Sequence, residues 1–88
     1  MTDRREQIEL GFQARQVLDN PAFVNAITAL AEKVARDWLD TDYDEQALRE
    51  SQWMKRRVLR EITDELTILL DNGEIAAQQI EREESRNG

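Results

Sequence analysis

The stretch 66-LTILLDNGEIAAQQI-80 governs the shape expected of this chain. Leu66 and Leu69 share a helical face with Leu48, Leu59 and Ile62 upstream. Asn72-Gly73 then reads as a stop, because glycine readily takes the left-handed position that follows a helix. On that reading a long helix begins near Asp42 to Asp44 and ends near Asp71. Glu74 to about Ile80 adds a short helical turn that tucks Ile75 and Ile80 back. Residues 81–88, Glu-Arg-Glu-Glu-Ser-Arg-Asn-Gly, carry no apolar side chain and are expected to fray.

Moving toward the N-terminus, Asp19-Asn20-Pro21 marks a boundary. Asn20 suits a helix N-cap, and Pro21 suits the first helical position, where no N–H donor is needed. A helix to about Leu39 follows. Phe23, Ile27, Leu30, Ala31, Val34 and Trp38 recur at steps of three and four and form one apolar stripe. A first helix is predicted from about Asp3 to Leu18, with no single stripe. Ile8 and Phe12 fall on one side, and Leu10, Ala14 and Val17 on roughly the other. Gly11 lowers its helix propensity. Such a helix suits a place across a hairpin, touching two neighbours, one of which could be another chain.

The predicted fold is therefore all-α. It is a long antiparallel helical hairpin with an N-terminal helix packed across it and a short C-terminal helical turn, in one domain over residues 1–80. A third helix of roughly 27 residues spans about 40 Å and the second about 30 Å. The mismatch leaves part of the longer helix without an internal partner.

Composition narrows the function. The chain has 88 residues, 40% hydrophobic and 35% charged, with three Gly and one Pro. This suits one small, highly charged helical domain of marginal stability. It has no Cys and no His, so the thiolate and imidazole chemistries are absent. No apolar run approaches the ~20 residues of a membrane span. Met1 to Gln7 lacks the apolar core of a signal peptide, and a cytoplasmic location is the expectation. The net charge of −7 disfavours direct nucleic-acid binding, which needs clustered Lys and Arg.

Asp40-x-Asp42-x-Asp44 has the opening spacing of a calcium loop. The match fails at the sixth position, Glu45 in place of Gly, and at the twelfth, Ser51 in place of Glu. The same residues suit a polar turn, since Thr41, Asp42 and Asp44 are good caps and acids favour a helix start. No metal or cofactor is expected. Nor is catalysis: only carboxylates, Lys33, Lys55, Tyr43 and a few hydroxyls are on offer, and spaced acids such as Glu6 with Glu9 or Glu61 with Glu65 arise by chance in so acidic a chain. No small-molecule substrate is expected either.

The segment 52-QWMKRRVLR-60 is more specific. Trp53, Arg56, Arg57 and Arg60 share a face, extended by Arg49, and that face lies nearly opposite Leu48, Leu59, Ile62 and Leu66. Trp and Arg are enriched at interface hot spots. With Phe12, these residues are the candidate partner-binding set. A solvated face explains them too, with an arginine stacked on Trp53, Arg57 paired with Glu61 and Arg60 with Asp64. A head-to-tail contact between chains also remains open. Lys55 projects on the apolar side and either snorkels from the core rim or overhangs the hairpin.

The order of elements carries a resemblance. It runs Asp19-Asn20-Pro21-Ala22-Phe23, an Ala/Leu-rich helix ending in Trp38, Arg49-Glu50 and Trp53, Leu66 to Leu70, and Asn72-Gly73-Glu74-Ile75-Ala76. Over about residues 11 to 77 this resembles small, mostly uncharacterised proteins encoded among the head and packaging genes of tailed bacteriophages. The resemblance implies a protein made inside an infected bacterium, in the host cytoplasm or the virion, and brings no catalytic or ligand residue. The expected function is a non-enzymatic interaction module, a homo-oligomer or a virion- or assembly-associated subunit. In that role Trp53→Ala is expected to weaken association with helicity retained. The alternatives are a small acidic inhibitor or adaptor of a host protein, with nucleic-acid mimicry as one route, and a calcium-dependent switch at Asp40 to Asp44.

Overall fold

The computed structural model describes residues 3–87. Among them there are three α-helices and no strand: α1 (Arg4–Leu18), α2 (Pro21–Leu39) and α3 (Gln46–Asn87). Local chemistry explains the first two. The Asp3 carboxylate accepts the Arg5 N–H at 3.3 Å and caps α1. The Asn20 side chain accepts the N–H groups of Ala22 and Phe23 at 2.9 and 3.1 Å, and Pro21 opens α2. The expected bounds of α1 and α2 therefore hold to within about a residue.

The turn from α2 to α3 is built from its own side chains. The Thr41 hydroxyl donates to the Trp38 carbonyl at 2.6 Å, which closes α2. The Glu45 carboxylate accepts the Asp42 N–H at 2.8 Å, while the Glu45 N–H donates to the Asp42 carbonyl at 3.0 Å. This reciprocal pair sets the direction in which α3 leaves.

Asn72-Gly73 does not end α3. The helix runs through it and through the charged tail to Asn87, so the separate C-terminal turn is corrected. No glycine among the described residues has positive φ. Gly73 is needed for space instead. A Cβ on it would lie 2.8 Å from the Gln7 carbonyl oxygen and 3.0 Å from the Gly11 Cα. One on Gly11 would lie 3.0 Å from both the Gly73 Cα and the Leu69 carbonyl oxygen. Two backbones touch here, and only glycine on each helix permits it.

That contact places α1. It lies antiparallel along the C-terminal half of α3, held by Gly11, Ala14, Gly73 and Ala76, with Arg4 ion-paired to Glu83 and Arg15 to Glu74 at 3.3 Å. Its contacts are almost wholly with α3. α2 lies antiparallel along the N-terminal half, where Val34 and Gln52 are buried. The expected pairing of α2 with the third helix is present. The expected position of α1 across that pair is corrected: α1 continues the line of α2, and both share α3. The predicted overhang disappears with it, because the first arm covers α3 along its length.

The result is a rod of 67 × 25 × 16 Å with a radius of gyration of 18.9 Å, against about 12 Å for a compact domain of this length. Its seam follows a heptad on α3: Gln52, Leu59, Leu66, Gly73 and Ile80 are all buried or half-buried. Lining up two helices leaves the seam thin. Among the described residues the buried apolar ones are Ala14, Val34 and Ala76, and no large side chain is fully buried. Leu48 and Ile62, expected in the core beside Leu59 and Leu66, are exposed.

Alanine in a helix interior normally gains about 1 kcal/mol over glycine. At Gly73 the added methyl would instead force two backbones apart, a strain of about 1–3 kcal/mol. Gly73→Ala is expected to lower the thermal midpoint by several degrees in a circular-dichroism melt. A higher midpoint would show that α1 is free to move away from α3.

Candidate functional site

The arginine stripe forms as its spacing predicts, on the solvent side of α3. Trp53, Arg56, Arg57 and Arg60, with Glu61 and Asp64, line one shallow surface. Trp53 is 53% exposed. The Arg57 guanidinium sits 5.7 Å from the centroid of the Trp53 ring, and its Nε donates to Glu61 at 3.1 Å. The self-satisfied arrangement of the stripe is thus realised at Arg57. Among the described residues this is the one ion pair in the stripe, and the expected Arg60–Asp64 pair is not formed.

Phe12 does not join this set. It is 58% exposed on α1, next to Gly11 and therefore level with Gly73. Trp53 lies twenty residues earlier on α3, about 30 Å away at the helical rise. The five candidate residues are one cluster of four and one distant aromatic.

A second aromatic takes the place that Phe12 leaves. Trp38, expected in the core stripe, is 39% exposed at the end of α2, with the Arg49 guanidinium 4.8 Å from its ring centroid. Trp38 and Trp53 line a common cleft with Tyr43, Gln46, Arg49 and Glu50. Below it, Val34, Ala35, Gln52 and Arg56 line a second cleft between the same two rings. Arg49 was placed on the stripe by its spacing from Trp53. Trp38 was missed because it stands across the turn, where helical periodicity within one segment carries no information.

Gln52 lies at the base of this region. It is 6% exposed, and its Oε1 is buried with no hydrogen-bond donor. An unmet buried acceptor costs about 1–3 kcal/mol. A polar residue on a coiled-coil seam exchanges such a cost for a fixed register, and Gln52 occupies such a position opposite Val34.

The opposite flank of the rod is apolar. Leu30 and Val34 of α2 line a groove with Met54, Val58 and Leu59 of α3, and Lys55 and Ser51 lie at its edge. Lys55 thus sits beside apolar side chains, the snorkelling arrangement, and not on an overhang. Among the described residues no group of acidic side chains is placed to hold a metal ion, and no helix is long and apolar enough to cross a membrane. Asp40 closes α2 through its backbone, its N–H donating to the Arg36 carbonyl at 2.9 Å.

No protein-family model matches the chain, and no curated protein or solved structure matches it either.

Because Arg57 and its partners are exposed, their mutual attraction is weak. Arg57→Ala removes one cation–π contact and one surface ion pair, and is expected to cost no more than about 1–1.5 kcal/mol with helicity retained. Chemical denaturation followed by circular dichroism measures this. A loss of several kcal/mol would mean that the stripe is part of the folded core and not a free surface.

Proposed function

We propose that this chain is a non-enzymatic protein–protein interaction module that works as an oligomer. The observation that carries the proposal is the surface it leaves uncovered. The accessible area is 7260 Å², whereas a compact monomer of this mass exposes about 5,400 Å². The excess includes large apolar side chains on every helix, among them Leu10, Leu30, Trp38, Val58, Ile62 and Ile75. A helix hides its apolar stripe against a neighbouring layer, and a rod one layer deep supplies no such neighbour on either broad side.

The long hairpin, with α1 and α2 in line as its first arm, is the scaffold in this reading. The Trp38–Trp53 edge with its arginines is the part that selects a protein partner. Aromatic rings and guanidinium groups clustered on a rigid helix are the common composition of interface hot spots. The resemblance of its element order to small proteins of tailed-phage head and packaging genes extends the proposal to a virion- or assembly-associated subunit. An acidic adaptor that binds a basic host protein is the second reading. It is supported by the net charge of −7, although the acids are interspersed with Arg and Lys along the helices.

Light scattering after size exclusion, over a wide concentration range, tests the oligomer. A defined multiple of 10.3 kDa is expected. A monomer at every concentration would overturn self-association and leave the adaptor reading in its place.

A further inference from the structure

We infer that two copies of this chain pack through the apolar flank of α3, face to face and antiparallel, about a twofold axis near Arg60, giving a bundle four helices in cross-section. The inference rests on the oligomeric reading above and names its seam. The seam is not the tryptophan–arginine edge.

The flank is defined by helical phase. α3 advances about 100° per residue. Its buried heptad from Gln52 to Ile80 faces the first arm. Trp53, Arg56 and Arg60 lie to one side of that line, and Met54, Val58 and Ile62 to the other. Leu30 of α2 stands beside Met54 and Val58, which fixes the side on which this flank continues across the rod. Ile68 and Ile75 extend it along α3. Leu10 and Val17 extend it on α1, on the side away from the Arg15–Glu74 pair. All of these side chains are exposed.

Area and symmetry identify the occupant. The surface in excess of a compact monomer is about 1,900 Å² per chain. A standard interface takes about 800 Å² from each partner, and obligate homodimers bury 2,000–5,000 Å² in total. The excess is that of an obligate dimer. The flank runs from Leu48 to Ile75, about 40 Å, so its occupant is an elongated surface of the same length. A second rod has that length.

The flank is also complementary to itself. Val58 and Ile62 stand two residues either side of Arg60, and Lys55 and Glu65 five residues either side. By helical phase all four point to the same side of α3. Reversing a second copy about this point sets Val58 against Ile62 and Lys55 against Glu65. An isologous interface requires this of any contact off its axis: if one residue meets a second, the second meets the first. On the opposite edge the same reversal sets Arg60 against itself and gives no apolar pair: Trp53 falls opposite Thr67.

The test uses the full chain and measures molar mass by light scattering, with circular dichroism as the check on folding. Ile62→Glu places a charge at a position 42% exposed in the single chain, so the rod should still form. The expected result is a helical monomer, while Trp53→Ala keeps the mass of the unaltered protein. Lys55→Glu and Glu65→Lys, each alone, should weaken the dimer, and the two combined should restore it. Because restoration requires a folded, associated chain, it separates a charge pair across the seam from damage to the fold. If the unaltered chain is an oligomer, and Ile62→Glu and the charge reversals leave its mass unchanged, the seam is overturned and the interaction module stands. If Trp53→Ala alone dissociates it, the tryptophan edge is the seam. A monomeric unaltered chain overturns both.

Discussion

Where α1 meets α3, the two backbones are closer than side chains allow, and the rest of the molecule follows from that approach. Gly11 and Gly73 have no Cβ atoms to hold the helices apart. Ala14 and Ala76 continue the contact with the smallest side chain available. With α1 drawn this close, Arg4 reaches Glu83 and Arg15 reaches Glu74. These exposed pairs add little energy, but they agree with one register along the whole of α1. The position of α1 also fixes the role of α3. A single continuous helix is needed to seat α1 on one half and α2 on the other.

The same approach explains why so little is buried. A seam made of Gly and Ala brings helices together without enclosing large side chains, so α1 adds contact area but hardly any core. α2 adds Val34 and half of Phe23 and Ile27. The stability of one copy therefore rests on a narrow line of contact, while two broad apolar and aromatic surfaces flank it. One flank carries Trp38 and Trp53 with their arginines. The other is aliphatic along its middle, with Lys55 and Glu65 among its apolar side chains. Their chemistry is different enough to serve different neighbours: the first has guanidinium groups that can choose a partner, and the second has shape and symmetry.

How legible this was depended on whether the signal was local. The start of α2 was readable because Asn20 accepts N–H groups within three residues and Pro21 needs no donor at the first helical position. The turn at Asp42 to Glu45 was readable as a capped turn for the same reason. Gly73 was not readable correctly. A helix terminus and a close helix crossing both call for glycine, and the residue that separates the two cases is Gly11, far away in the sequence. Trp38 and Ile62 were assigned to the core because their spacing suits an apolar stripe. In a rod with one seam only part of such a stripe is covered, and these residues fall just outside it. The second flank had left a trace, since Met54, Val58, Ile68 and Ile75 are too many apolar residues for a solvent face. One assumed core stripe hid them.

The single register of the hairpin has a consequence for how the chain comes together. Sequence separation between facing residues is smallest at the Asp42–Glu45 turn, where Trp38 meets Arg49, and largest at Arg4 and Glu83. Contacts near the turn enclose the shortest loops and cost the least entropy to close. Zippering from that end is the inexpensive route: α2 docks first, then the kink at Asn20-Pro21, then α1. During synthesis the order is stricter still. α1 is made first, yet the stretch of α3 that receives it is made last. Throughout that interval Ile8, Ala14 and Leu18 travel on a helix with nothing to lean on, and a helix of 15 residues is marginal by itself. The glycine contact on which the final shape depends is thus closed late, just ahead of the Arg4–Glu83 pair.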